Sequence, residues 1–421
     1  MKPAAVLGLA LLIFIFAVST GWRLLFHLGW LIVLVVLFSY LWTRFAFHGL
    51  RVLRETPQGR VQVGEALRER LGLRNQSVLP KLWLEVQDGG NLPGRSSGNV
   101  VSIGPSSDKR WRRKTICSQR GQYTLGPLTI TSSDPFGLFT RSVEAGPRRE
   151  FIVYPQVVPL TDFSLPAMEL PGGNVAQRRS YNATPTVSTI REYVPGDSLS
   201  TVSWKATARN QKLMVKEFEL DPVADVWIVL DLDHRLHTER AALDRELPAD
   251  PERQYLNSTV EYAVATAASV ASWMLEKDRS VGLIAWGQEK QIVPPDRGTR
   301  QLWKILELLA VVEPAHAPPL REVLLSYQSF FAGNHSLFII TPDTSGSWHP
   351  ALDLTGGRTL PVTAMYIDAL SFDNRMPRLL PQQDHRRARF YSYTLRNGDD
   401  LRDAFARGRT TGQARQMEIA R

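Results

Sequence analysis

Cysteine is nearly missing: Cys117 is the only one in 421 residues. No disulfide can close within the chain, so no covalent staple holds the fold. With no catalytic histidine matched to it, the lone thiol reads as a small buried hydrophobe. Three signatures of common chemistry are absent as well. There is no glycine-rich phosphate loop ending in Lys-Ser/Thr, no Gly-x-Ser-x-Gly elbow and no His-Glu-x-x-His pair. Gly104-Pro105-Ser106-Ser107 is a turn rather than a nucleotide cradle, and no ordered spacing of Ser, His and Asp selects a triad. These absences disfavour an enzyme, and no cofactor is expected.

Acidic residues are in deficit. Asp and Glu number 41 against 50 Lys and Arg, a net charge of +9. Such a balance favours anionic partners: a phospholipid surface, nucleic acid or an acidic protein patch. The cations are not gathered into one stripe with aromatic stacking partners, so nucleic acid is not expected and attraction to a membrane surface is.

What the chain does have, first, is apolar length. The run from Pro3 to Val18 breaks at Ser19-Thr20-Gly21-Trp22-Arg23, and a second goes from Leu24 to Trp42, interrupted by His27 and Ser39. A bilayer core takes roughly 20 apolar residues per helix. Residues 1–43 therefore read as two transmembrane helices with a tight turn, one long kinked segment being the alternative. A cleaved signal peptide fits less well: Lys2 supplies the charged start, but a second apolar segment follows at once and no Ala-x-Ala-like cleavage site is present. Arg44, His48, Arg51 and Arg54 follow the second helix, Lys2 precedes the first, and the turn holds only Arg23. The positive-inside rule then puts both ends of the hairpin, and the soluble domains, in the cytoplasm. Trp22 and Trp42 suit the interfaces, and Trp30 either joins them or lies too deep to do so.

Residues 52–155 carry short alternating segments, among them Val61–Val63, Leu82–Val86, Tyr123–Leu125, Leu128–Ile130 and Phe151–Tyr154. Turn residues punctuate them, which predicts a β-sandwich of the immunoglobulin or fibronectin kind. Asp134-Pro135-Phe136-Gly137-Leu138-Phe139 reads as a turn whose two Phe rings anchor it in a core. Arg110, Arg112, Arg113 and Lys114 surround Trp111 and read as a solvated hairpin tip, or else a contact with lipid headgroups.

Residues 156–222 form a linker and a signature segment. Pro166, Pro171, Gly172 and Gly173 mark the linker, which runs from Leu160 to Asn182. The stretch from Arg191 to Glu219 is denser in chemistry. Pro195-Gly196-Asp197 is a turn. A helix fits Ser198–Asn210, with Trp204 on one face and Lys205 and Arg209 one turn apart on another. Lys212–Glu219 alternates like a strand, with Leu213, Val215 and Phe218 apolar. Either this is a plain turn and amphipathic helix, or Arg191, Asp197, Lys205 and Arg209 clamp a loop against a neighbour.

Residues 223–396 alternate between strand and helix, which predicts a doubly wound α/β sheet. Strands fit Val226–Asp231, Val281–Trp286, Gln291–Val293, Ser336–Thr341, Val362–Ile367 and Phe390–Leu395. Helices fit Tyr255–Glu276, Leu302–Val312 and Arg321–Phe331. In such sheets ligands sit beyond the carboxyl ends of the strands, where Asp231 lies. Residues 397–421 read as a C-terminal helix, from Asp399 to Arg407, and a polar tail.

Arg191, Tyr193, Pro195-Gly196-Asp197, Trp204-Lys205, Ala208-Arg209, Val215 and Glu217, in that order, resemble the signature of the domain of unknown function 58 family. These are bacterial and archaeal membrane-anchored proteins with a von Willebrand factor A-like domain. Arg120-Gly121-Gln122-Tyr123 and Asp134-Pro135-Phe136-Gly137 resemble a second signature of the family and read as structural. The resemblance implies a strand ending in Asp-x-Ser-x-Ser that holds Mg²⁺. Here those positions are Asp231, Asp233 and Arg235, and Thr341-Pro342-Asp343 resembles the Asp-bearing end of the fourth strand, offset by one residue. Two readings follow: a modified Mg²⁺ site on Asp231, Asp233 and Asp343, or, preferred, a metal-free site in which Arg235 pairs with a carboxylate. His234 and His237 read as solvent-facing loop residues rather than Zn²⁺ ligands.

The family likeness further implies partners, a MoxR-type AAA+ ATPase and transglutaminase-like membrane proteins, and a chaperone-like part in assembling or maturing other proteins. The expectation is a membrane-anchored, non-enzymatic adaptor. Its rivals are a metal-dependent hydrolase built on Asp231 and Asp233 and a basic, membrane-tethered nucleic-acid binder.

Overall fold

A computed structural model of the chain describes residues 2–55, 59–94, 98–160, 183–193, 202–220, 225–239, 256–331, 335–355, 360–373, 376 and 390–404. The linker 161–182, the Pro195-Gly196-Asp197 turn and the tail 405–421 lie outside the described residues. The chain divides into two compact units: Met1–Val158 with Thr238–Ser269 and Trp303–Glu313, and Pro159–His237 with Val270–Leu302 and Pro314–Arg421.

The first unit starts with helices α1 (Lys2–Thr20) and α2 (Arg23–Phe45). Gly21, at φ +64°, turns the chain between them. Ala10, Ala17, Gly29 and Ser39 are buried. A Cβ at Gly29 would come within 2.8 Å of the Phe14 ring, so glycine lets that ring sit against the helix backbone. The outward surface is Leu, Ile, Val, Phe and Trp, exposed on both helices. Soluble monomers rarely show apolar area on this scale. Both helices are long and apolar enough to cross a membrane.

Ten strands follow: β1 (Leu50–Glu55), β2 (Val61–Gln62), β3 (Ala66–Asn75), β4 (Lys81–Asp88), β5 (Asn99–Ile103), β6 (Asp108–Ile116), β7 (Gly121–Leu125), β8 (Leu128–Ser133), β9 (Thr140–Ala145) and β10 (Arg149–Tyr154). They form sheets ordered β1-β3-β6, β5-β4-β8-β9 and β2-β10-β7. β8 alternates buried and half-buried residues along its length, as a strand with one face in a core must. Its Leu128 and Ile130 join Leu71 and Leu73 of β3, Leu84 and Val86 of β4, and Val101 and Ile103 of β5 in one core, so the first two sheets pack face to face. A second core collects Val61, Leu67, Leu125, Phe151, Val153 and the buried Cys117, the thiol's expected place.

The basic cluster is not a hairpin tip. It runs along β6, where Arg113 turns inward to Asp88 at 2.9 Å. Asp88 also meets Arg54, whose guanidinium bonds Glu69 at 2.6 Å, so four charges of balanced sign lie buried together. Period-two alternation hides this, because a charged residue at an inward position looks like a break in the pattern until its partner is known.

The second unit opens with a hairpin of β11 (Ala183–Glu192) and β12 (Met214–Leu220), with α3 (Trp204–Asn210) between them. The main sheet uses β13 (Asp225–Asp231), β14 (Val281–Trp286), β15 (Lys290–Asp296), β16 (His335–Thr341), β17 (Val362–Ile367) and β18 (Phe390–Leu395). Helices α4 (Thr259–Glu276), α5 (Gly298–Val311), α6 (Leu320–Ser326) and α7 (His349–Thr355) connect them. The sheet order is β15-β14-β13-β16-β17-β18, all parallel except the edge strand β15. By order of appearance that is third, second, first, fourth, fifth, sixth, a doubly wound arrangement that reverses direction between β13 and β16. On one face, Trp227, Val229, Ile339 and Tyr366 pack with Leu320 and Leu324 of α6 and Trp348 and Leu352 of α7.

β14, β17 and β18 begin and end where their apolar runs do. The expected helix over Arg321–Phe331 is broken: α6 stops at Ser326 and Gln328–Phe331 is a 3-10 turn. The helix expected over Ser198–Asn210 begins at Trp204: Val202 bridges Val215 and Ser203 is not helical, while residues 198–201 lie outside the described residues.

Candidate functional site

The signature segment forms a small, tightly bonded module. Val202 bridges Val215, and both are buried. The Ser203 amide donates to the Met214 carbonyl at 2.8 Å, and the Met214 amide donates to Thr207 Oγ1 at 3.0 Å. Gln211, at φ +53°, ends α3 in the left-handed region. The Tyr193 amide reaches the Leu213 carbonyl at 2.8 Å, and Arg191 stands opposite Val215 in the β11–β12 ladder, Thr189 opposite Glu217.

This bonding fixes a helix that buries none of its own residues. Trp204 is 71% exposed, Lys205 and Arg209 are exposed with it, and Leu213, read from the sequence as an apolar member of the strand, is 43% exposed. Leu213 sits one residue before β12, so the ladder does not set its side. An indole left in water is costly, and Trp and Arg are the residues that most often anchor protein contacts.

The second candidate lies at the switch point of the main sheet. Asp231 ends β13 and Thr341 ends β16. The Thr341 hydroxyl donates to Asp231 Oδ2 at 2.6 Å, and the Asp233 amide donates to Oδ1 at 3.2 Å. Burial raises the Asp231 carboxyl to about 6; these two bonds oppose the rise, and the charges of Asp233 and Asp343 add to it. At Asp233, burial pushes upward too, but the Arg235 bonds outweigh it and leave the carboxyl below its usual range. Arg235 forks onto Asp233, Nε to Oδ1 at 2.9 Å and Nη2 to Oδ2 at 2.6 Å. Asp343 accepts from the Ser345 amide at 2.8 Å and the Ser347 hydroxyl at 3.2 Å.

These donors do not suit a divalent cation. Every oxygen of Asp231, Asp233 and Asp343 already accepts a bond from the protein, and the Arg235 guanidinium supplies the positive charge. Among the described residues no group of three or more His, Cys, Asp or Glu is placed to share a metal ion. His237 is not solvent-facing as expected: its Nε2 is 2.9 Å from the Asp231 carbonyl. His234 is exposed and stands edge-on to His316, with ring centroids 4.0 Å apart. Sequence reasoning named Thr341 as a strand end and beside Asp343 but gave its hydroxyl no part in the site. The signal was a hydroxyl at a buried strand end, two residues before Asp343.

The second signature separates into two sites. Arg120 donates to the carbonyls of Leu309 at 3.0 Å and Val312 at 2.7 Å, at the end of α5, and pairs with Glu261. Gly121, at φ +148°, follows it, and the Tyr123 hydroxyl donates to the Gln119 carbonyl at 3.2 Å. The turn at Asp134 differs from expectation. Phe136 is 58% exposed, beside exposed Pro135 and Gly137, and Phe139 meets Tyr40 of α2 edge-on at 5.8 Å. The Asp134 carboxylate accepts from the Phe139 amide at 2.6 Å and the Phe136 amide at 3.0 Å, so hydrogen bonds shape the turn without a buried Phe136 ring.

Comparison with known families matches residues 189–369, from the end of β11 through the main sheet to β17, to the family described as "Protein of unknown function DUF58". That segment belongs to the DUF58 family. The chain is also 19% identical over 315 residues to the "Uncharacterized protein YeaD" of Bacillus subtilis (strain 168), covering 73% of this chain and 74% of that one. Among solved structures, the CARDB domain of PF1109 from Pyrococcus furiosus aligns at 20% identity and a TM-score of 0.19, over 25% of this chain and 92% of that one. A β-glucosidase from Listeria innocua aligns at 12% identity and a TM-score of 0.15, over 23% and 16%. The DUF58 match contains the α3 module, Asp231 and Thr341, and excludes both transmembrane-length helices.

Proposed function

We propose that this DUF58 protein is a membrane-anchored, non-enzymatic adaptor. α1 and α2 span the bilayer with the soluble domains in the cytoplasm, and the second unit carries a von Willebrand A-like domain. The role is to work with a MoxR-type AAA+ ATPase, beside transglutaminase-like membrane proteins, in the assembly or maturation of other proteins. The strand order of the main sheet and the carboxylate at the end of its first strand support the domain reading. Arg44 in the last turn of α2, with Arg51 and Arg54 after it, supports the orientation.

The observation that carries the adaptor reading is Trp204. A rigidly held α3 leaves it 71% exposed beside two cations, in the segment that matches the family. Such a surface recognises an apolar pocket rimmed by carboxylates. The test is co-purification of the full chain with the ATPase from detergent-solubilised membranes. Trp204→Ala is expected to cut the captured ATPase at least tenfold while leaving the melting temperature unchanged, and Lys205→Glu with Arg209→Glu to do the same. Undiminished capture by these variants, or no capture by the wild type, overturns the reading.

The hydrolase reading has one observation in its favour, the pKa of Asp231, raised to about 6 by burial at the switch point of the sheet. The guanidinium locked onto Asp233 speaks against it.

A further inference from the structure

The turn at Asp134 does not stand alone. Four loops meet at one end of the two packed sheets, and that end is tied to the last turns of α2. Lys81 Nζ donates to the Phe45 carbonyl at 2.6 Å, the Gln76 amide donates to the Gly49 carbonyl at 2.7 Å, and Phe139 packs on Tyr40. The Arg141 guanidinium stands 5.7 Å from the Phe47 ring. Inside the group, Asn75 Nδ2 holds the carbonyls of both Leu79 and Gly104 at 2.8 Å. Tyr40 lies five residues before the end of α2, roughly 7 Å back along the helix axis. The loop touching it is therefore level with the end of the apolar helix rather than above it.

This end is apolar where a soluble domain would be polar. Val78 is 81% exposed, Phe136 58%, Trp83 55% and Leu79 51%. β4 runs antiparallel to β8 with Glu85 opposite Thr131, so the start of β4, which carries Trp83, lies toward the end of β8 that leads into the Phe136 turn. Trp83 sits at φ +51° where the β4–β5 register slips between Lys81 and Leu84. A bulky residue is an outlier there, and a bulge of this kind re-aims a side chain. Here the re-aimed indole is exposed rather than in the core. Exposed cations stand at the same end, each the second residue of its strand: Arg51 of β1, Lys109 of β6 and Arg141 of β9.

We propose that this end of the sheets is a second membrane contact, separate from the spanning helices. Phe136, Trp83, Val78 and Leu79 enter the boundary between headgroups and acyl chains, and Arg51, Lys109 and Arg141 bind anionic headgroups. Aromatic rings with cations behind them are the side chains that lodge at that boundary. The partner is an anionic bilayer surface, and its effect is to fix the tilt of the strands against the membrane. The proposal rests on α1 and α2 spanning a bilayer.

The test uses the full chain with Cys117→Ala, reconstituted in lipid nanodiscs, with single cysteines carrying an environment-sensitive fluorophore. Phe136→Cys reports the proposed contact and Leu34→Cys the middle of α2. Gln119→Cys lies beyond the far end of β6, a strand of nine residues or roughly 27 Å. Discs contain lipids spin-labelled just below the headgroup or deep in the acyl chain. The expected result is several-fold quenching of position 136 by the shallow label, quenching of position 34 by the deep label and none at position 119. Position 34 quenched with 136 unquenched overturns the contact and spares the anchor. Position 34 unquenched overturns the anchor and the contact together. Equal quenching at 119 and 136 overturns it as plain adsorption. Replacing the anionic lipid with a neutral one is expected to weaken quenching at 136 at least twofold, and equal quenching overturns the anionic-headgroup role.

Discussion

The Thr341 hydroxyl donates a hydrogen bond to Asp231 at 2.6 Å, and the bond joins the carboxyl ends of two neighbouring parallel strands, β16 and β13. It fixes an acid in a dry place at the point where the sheet reverses its winding.

The first prediction concerns that acid. Its folded value of about 6 lies above the ordinary 3.8, so between those values the folded protein holds a proton that the unfolded chain has released. Stability from this group is therefore full below about pH 4, falls as pH rises, and is gone above about pH 6, a change of roughly 3 kcal/mol. Asp231→Asn is expected to remove that slope and to melt at or above the wild-type temperature at pH 7. Thermal melts in detergent from pH 4 to pH 8 check it. A slope unchanged in the variant means the group is not Asp231.

Arg120→Ala leaves the Leu309 and Val312 carbonyls and the Glu261 carboxylate without their guanidinium. The expected loss is roughly 2–4 kcal/mol. Arg120→Lys is expected to recover less than half, because one ammonium nitrogen cannot take the places of the three guanidinium nitrogens that meet Leu309, Val312 and Glu261. Chemical denaturation followed by near-UV circular dichroism reads both.

Arg54 neutralises Glu69 and shares Asp88 with Arg113, all nearly without solvent. Arg54→Ala is expected to cost about 3–5 kcal/mol by stranding a buried carboxylate. Arg54→Met together with Glu69→Leu is expected to regain most of that loss. A double-mutant cycle measured by urea denaturation gives the coupling.

Gly282 of β14 faces Trp227 of β13 across the ladder, and a Cβ there would meet the indole at 2.8 Å and Pro295 at 3.0 Å. Gly282→Ala is expected to cost about 1–3 kcal/mol through overpacking. Gly282→Ala with Trp227→Phe is expected to be milder than the sum of the two single changes.

Strands such as β14 and β17 were legible because they are buried on both faces: Val281–Trp286 and Val362–Ile367 are apolar but for Thr363 and stop at turn residues. Asp231 was legible for the same reason, as the carboxylate that ends such a run. α7 was not, since seven residues give barely two turns of periodicity. The α3 signature was visible as a motif, but the exposure of Trp204 depends on bonds from β12 that its own spacing does not encode. Phe136 shows the same limit. A Phe in a turn looks like an anchor until the Asp134 carboxylate is seen to shape the turn in its place.

Only Gly21 and Trp22 separate α1 from α2. If the hairpin spans a bilayer in the proposed orientation, that link shows the far leaflet a mere two residues, too little for a ligand on that side to grasp. A signal from there would then reach the hairpin sideways, through the helices of a neighbouring membrane protein.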